Sequence, residues 1–128
     1  MIREDISNGA KKPHSFGKPE RIIRSYEYKK VHKQGARYKD DLFALSILKN
    51  NMTNHRLGLS VGLTKVPLAS KRHRIKRIIR EFFRLNKMKL KNGPYDIVIS
   101  IITAPPYKIN YSIFEKRLQA LLKEANVL

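Results

Sequence analysis

Ser70-Lys71-Arg72-His73-Arg74-Ile75-Lys76-Arg77-Ile78-Ile79-Arg80-Glu81-Phe82-Phe83-Arg84 is the stretch on which the reading of this chain turns. It is the dense centre of a 27-residue segment, Lys65 to Lys91, that holds eleven Lys or Arg and one acid, Glu81. On a helix turning about 100° per residue the segment divides into two faces. Ile75, Ile78, Ile79, Phe82, Phe83, Leu85 and Leu90 fall on one side. His73, Arg77, Arg80, Arg84 and Lys87 form a stripe opposite, with Arg74 and Lys76 flanking the apolar face and Arg72 in or just before the first turn. Ser70 is the expected N-cap, because its hydroxyl accepts from an orphan backbone N–H. Glu81 is expected to pair with Arg77 or Lys76. A merely solvated face mixes signs, since like charges three or four residues apart repel by roughly 0.2–0.5 kcal/mol per pair. An almost wholly cationic stripe therefore predicts a strongly anionic partner.

Composition narrows that partner. The chain has 128 residues, enough for one domain with one core, and a net charge of +18. Such an imbalance points to nucleic acid or an anionic membrane surface. No apolar run approaches the ~20 residues of a membrane span, and Met1-Ile2-Arg3-Glu4-Asp5 lacks the apolar core of a secretory signal. There is no cysteine, which is compatible with a reducing cytoplasm, and the four histidines, at 14, 32, 55 and 73, lack metal-binding spacing. Nucleic acid is the expected partner class, with no membrane and no metal site in the protein.

Working outward, residues 1 to about 20 are polar and aperiodic, carry Gly9, Pro13, Gly17 and Pro19, and read as a mobile tail. Its Lys11, Lys12, His14 and Lys18 would add weak attraction to phosphate. A helix is predicted from a Ser25 cap to about Gln34, with Gly35 as its C′ residue. Tyr28, Val31 and His32 share one face of it, and Lys29, Lys30 and Lys33 the other. Strands are predicted at 36–39, at Leu42 to Leu48, and at Arg56 to Leu63, where Gly58 and Gly62 mark close backbone approach. After the basic helix, Asn92-Gly93-Pro94 is the stop signal. Tyr95 to Ile102 is a β-branched run typical of a strand covered on both faces. Ser112-Ile113-Phe114-Glu115 has capping-box form, and Phe114, Leu118, Leu121, Leu122 and Ala125 give a final amphipathic helix.

No constellation for protein-borne catalysis stands out. Asp40 and Asp41 are adjacent, so a strand would point them to opposite faces. His73 has no carboxylate near it in sequence to orient it as a base. Gly-rich phosphate loops and metal-ligand motifs are absent from the sequence.

Arg56-Leu57-Gly58-Leu59-Ser60-Val61, a loop containing Lys65, Ala69, and Arg72 through Arg84 together resemble the bacterial ribonuclease P protein subunit. That family's signature reads Arg-Asn-Arg-x-Lys-Arg-x-x-Arg-Glu; every charged position matches, and His73 stands where the family has Asn. The resemblance spans residues 21–125. It implies a single-domain α/β (α+β) two-layer sandwich over residues 21–128. A mixed sheet of about four strands would carry packed helices and a left-handed β-α-β crossover, against the usual right-handed rule. It implies an accessory subunit of a ribonucleoprotein endonuclease that removes the 5′ leader of precursor tRNA. Catalysis would belong to an RNA partner that holds magnesium, in the cytoplasm, with one protein copy per holoenzyme.

By motif match the catalytic-RNA contacts are Lys65, Arg72, His73, Arg74, Lys76, Arg77, Arg80 and Arg84. The leader contacts are Tyr28, His32 and Ser46, in a cleft between the first helix and the open sheet face. Stacking of unpaired bases on aromatic rings is sequence-tolerant and contributes ~1–3 kcal/mol per base. The plain alternative is that Tyr28 and His32 pack the helix onto the sheet. His32 replaces the family's usual Phe, and its smaller ring stacks less well. A structural RNA-binding protein, such as a ribosomal component, is the competing function, and a protein-only nuclease a weaker one.

Overall fold

The structure is a computed structural model that describes residues 17–106 and 108–128. Three helices, α1 (Ser25–Gln34), α2 (Ala69–Asn86) and α3 (Tyr111–Glu124), accompany four strands. The strands are β1 (Ala36–Lys39), β2 (Phe43–Lys49), β3 (Arg56–Ser60) and β4 (Tyr95–Ile101), in the sheet order β1-β2-β4-β3. β2 runs antiparallel to β1 and β4, whereas β3 and β4 are parallel and joined through α2. The sheet is therefore mixed, and the fold a single α+β domain.

Strand alternation decides which helix meets which face. Leu45 lies opposite Ile99 and Ile47 opposite Ile97, and Ile97 and Ile99 pair with Leu57 and Leu59. This row packs with Ile75, Ile79, Phe82 and Phe83 of α2 and Phe114, Leu118, Leu121 and Leu122 of α3. Phe43 and Phe114 meet edge to face with centroids 5.0 Å apart, a favoured aromatic geometry. The other row, with Val98 at its centre, packs with Ile22 and Val31, flanked by Tyr28 and Leu48. α1 thus crosses the second face, over the main sheet-and-helix sandwich. β4 is buried along nearly its whole length, as its β-branched run predicts.

Several local details differ from the sequence reading. The N-cap of α2 is Leu68, not Ser70, because the helix already begins at Ala69. The cap of α3 is Asn110, whose Oδ1 accepts from the backbone N–H groups of Ser112 and Ile113 at 2.8 and 3.4 Å. Ser112 therefore sits inside the helix. Gly35 ends α1 at φ −84°, outside the left-handed region; its bare Cα is needed because a Cβ would lie 2.6 Å from the carbonyl oxygens of Val31 and Ile47. At Gly62 a Cβ would meet only the Thr64 Oγ1, at 4.0 Å, so no close backbone approach is made there.

The largest difference concerns Lys87. α2 stops at Asn86 and a 3-10 turn, Lys87–Lys89, follows. Lys87, at the end of the helix beside Phe83, is buried at 7% exposure rather than presented on the cationic stripe, and its Nζ pairs with Glu20. Glu20 ends another 3-10 turn, Lys18–Glu20, so residues within the expected tail belong to the fold. Lys11, Lys12 and His14, with the rest of residues 1–16 for which a mobile tail is expected, lie outside the described residues.

Beside this buried pair lies His55, whose ring stacks on Tyr95 at 5.7 Å and whose Nδ1 accepts from the Tyr95 N–H at 3.0 Å. Burial, and then the charge of Lys87, lower its pKa, against a smaller opposing pull from Glu20. A depressed folded-state pKa means that the unfolded chain binds more protons, so the contribution is whole above about pH 6.5 and is lost as pH falls below it. Urea titrations at pH 7.5 and 5.5 should show lower stability at the acid value, and His55→Asn should shrink that difference.

Candidate nucleic-acid interface

α2 holds its cations rigidly because its underside is anchored. Ile75 and Ile79 are fully buried and Phe82 and Phe83 nearly so, while His73, Arg74, Arg77 and Arg80 are exposed and Lys76 half-buried. Among the described residues, none of Lys65, Lys71, His73, Lys76, Arg77 and Arg80 has an acidic partner. Most of the described acids are engaged elsewhere. Glu27 and Asp96 grip Arg56 at 2.8 and 2.6 Å, Asp40 and Asp41 hold Arg117, and Glu20 holds Lys87. Glu81 pairs with Arg84 at 2.5 Å rather than with Arg77 or Lys76. Arg84 is the one expected contact whose charge is met by a carboxylate one turn away.

Arg72 and Arg74 shape the approach to the ridge. The Arg72 guanidinium donates to the carbonyls of Val66 and Pro67 at 2.9 and 2.8 Å, fixing the loop that presents Lys65. Arg74 donates to the Ile109 carbonyl at 3.1 Å. A cavity of 290 Å³ between this loop and the segment before α3 gathers Lys65, Lys71, Arg74 and Lys108. Lys108 was not visible as a site residue, because nothing in its own stretch marks it; only the tertiary fold brings it to the loop.

Across the β3 edge lies the second cluster. Tyr28 donates its hydroxyl hydrogen to the Ile22 carbonyl at 3.1 Å and accepts from the Leu59 N–H at 3.3 Å. Its ring covers Gly58, where a Cβ would come within 2.6 Å of ring carbon Cε1. Gly58 is thus the site of close approach that the strand pattern predicts, and Tyr28 is a packing residue by its contacts. It also lines a 290 Å³ cavity with Arg21, Ile23, Lys76 and Arg80, so α1 and the basic ridge share one recess. His32 is exposed, and its Nδ1 lies 3.3 Å from the Ser46 Oγ. Ser46 itself is 2% exposed, so the structure brings it to His32 but withholds it from a ligand; it can only orient the imidazole.

Tyr28→Phe separates the two roles. It keeps the ring but leaves the Leu59 N–H and the Ile22 carbonyl without this partner, at a cost of about 1–2 kcal/mol in urea unfolding. Affinity for single-stranded RNA should be unchanged if stacking alone is used.

The sequence model of the family described as Ribonuclease P matches residues 16–126. The chain belongs to the ribonuclease P protein family. The ribonuclease P protein component of Clostridium kluyveri is 37% identical over 109 residues, covering 84% of this chain and 95% of that one. A structure of a Staphylococcus aureus RNase P protein mutant with defective mRNA degradation activity superposes with a TM-score of 0.77 at 26% identity, covering 87% of this chain and 92% of that one. The RNase P protein from Thermotoga maritima gives a TM-score of 0.71 at 28% identity, covering 82% and 96%. The ribonuclease P family is thus shown by sequence and by fold, and the ribosomal alternative is not favoured. Among the described residues no group of three or more His, Asp or Glu is placed to hold a metal, and no helix is long and apolar enough to cross a membrane.

Proposed function

We propose that this chain is the RNA-binding accessory subunit of a tRNA-processing ribonucleoprotein, in which the catalytic step belongs to the RNA. The observation that carries this reading is the α2 ridge, whose cations, among the described residues, have no carboxylates to satisfy them apart from the one on Arg84. Such a ridge lowers phosphate repulsion between two polyanions, here a large catalytic RNA and its precursor tRNA. Lys65, Arg72, His73, Arg74, Lys76, Arg77 and Arg80 face the catalytic RNA, with Arg84 at the rim. His73 can donate and accept through its two ring nitrogens, as the family's Asn does through its amide. Tyr28 and His32, backed by Ser46, border the strand that leads away from the cleavage site.

Magnesium in this scheme is bound by RNA, and one protein copy acts per complex, in the cytoplasm. Reconstitution tests the proposal. Added to its cognate RNA, the chain should raise precursor tRNA cleavage most at low magnesium. Magnesium-dependent cleavage by the chain alone would overturn it in favour of a protein nuclease.

A further inference from the structure

The cavity between the β3–α2 loop and the segment before α3 differs in kind from the ridge beside it. Buried Val66 and Ile109, with the rings of Pro67 and Pro105, give it apolar walls. Lys65, Lys71 and Lys108 also line it; they are exposed, have no acidic partner among the described residues, and no Asp or Glu shares the lining. Arg74 is the fourth cation and the one with a fixed plane. Its guanidinium donates to the Ile109 carbonyl at 3.1 Å, while Arg72 holds the carbonyls of Val66 and Pro67 at 2.9 and 2.8 Å on the other wall. Both walls are thus tied to the first turns of α2, and the cavity is pre-formed. At 290 Å³ it lies at the small end of ligand pockets, with room for one nucleotide and not for a strand.

The mixed lining selects the occupant. A bare phosphate needs the cations but not the apolar walls, and an apolar side chain of a protein partner needs the walls but not four cations. An unpaired nucleotide uses both, because its base lies flat on a guanidinium plane or an apolar surface while its phosphate meets the ammonium groups. Continuity with the α2 ridge favours a residue of the RNA seated there over a free nucleotide. We infer that the cavity seats one unpaired nucleotide extruded from the catalytic RNA, its base against Arg74 and Pro105 and its phosphate toward Lys108. The ridge alone contacts phosphates, which position an RNA without reading it; the cavity adds a base contact. This rests on the proposed function.

The test uses the full chain bound to its cognate catalytic RNA. Ala104→Leu fills the cavity from an exposed lining position, and Arg74→Lys keeps the charge but removes the planar fork. Each should weaken affinity for the RNA about tenfold, while the slope of log affinity against log salt stays that of the wild-type chain. Acylation of 2′-hydroxyls along the RNA should show one unpaired nucleotide that the wild-type chain shields and that reacts again with either variant, the rest of the footprint being the same. Undiminished affinity in either variant, a loss that flattens the salt slope, or one footprint common to all three complexes would overturn the inference. Failure of the underlying reading looks different: the wild-type chain would then leave no footprint on that RNA at all, and this inference would fall with it.

Discussion

Replacing Lys76, Arg77 and Arg80 together with Ala should flatten the plot of log affinity for the catalytic RNA against log salt by about two to three units. Each lost phosphate contact removes about 0.7–0.9 from that slope, because fewer condensed counterions are released on binding. The three side chains are suited to this test because none makes an internal ion pair among the described residues. Two of them, Arg77 and Arg80, are exposed, so thermal stability should change by less than about 0.5 kcal/mol. Affinity measured over a range of potassium concentrations reads the slope directly. An unaltered slope would mean that the ridge does not touch phosphate. Arg84→Ala, whose charge already meets Glu81 at 2.5 Å, should change the slope least of any Arg on α2.

Arg56→Ala should be the most destabilising single substitution considered, costing about 3–5 kcal/mol. Its guanidinium bridges Glu27 of α1 and Asp96 of β4, side chains only 17% and 9% exposed, and Asn50 adds a bond to the same Asp96 oxygen that Arg56 Nε meets. Removing the cation leaves two carboxylates in a poorly solvated place. The pH response should then reverse. In the native protein burial pushes the Glu27 pKa up, but the Arg56 hydrogen bond and the Arg24 N–H outweigh it and hold it low. That contribution is present above the ordinary carboxylate range of about 4 and is lost as pH falls through the lowered value. Without Arg56, burial prevails and the Glu27 carboxyl is pushed up rather than held low. The variant should therefore gain stability as pH is lowered from 7 toward 5. Urea unfolding of both proteins at several pH values checks the size and the sign.

How far the sequence could be read depended on whether a residue's fate was local. The buried face of α2 is a local matter of period, and Ile75, Ile79, Phe82 and Phe83 all lie where the pattern puts them. The same holds for the phenylalanine and leucines of α3 and for three of the strands, whereas β3 stops at Ser60, short of the predicted Leu63, which is left 65% exposed in the loop that follows. The errors come where partners are distant in sequence. Lys87 continues the cationic period by spacing, yet the helix has already ended and Glu20, 67 residues away, captures it. Ser46 looks available on an alternating strand, but α1 and the neighbouring strands bury it. Arg56 is conspicuous in the motif, while its two carboxylate partners lie 29 and 40 residues away. Capping was misjudged at all three helices because a nearby Ser was preferred, although the backbone turns one residue earlier, at Arg24, for α1 and two earlier, at Leu68 and Asn110, for α2 and α3.

The N-terminal side of β3 has a consequence for how this protein is handled. A bare outer strand offers unpaired backbone groups to any extended chain it meets and invites edge-to-edge aggregation. Here Arg21 bridges to Leu57, the Ile22 N–H donates to the Leu57 carbonyl at 3.0 Å, and the Tyr28 hydroxyl occupies the Leu59 N–H. On the opposite flank β1 is only four residues long and carries Arg37 and Lys39. Both margins are thereby shut against neighbouring copies, one by the chain's own backbone and the other by charge. Shortened versions that start after Ile22 would strip the first seal and strand Lys87 at once, so any truncation has to keep Glu20, Arg21 and Ile22.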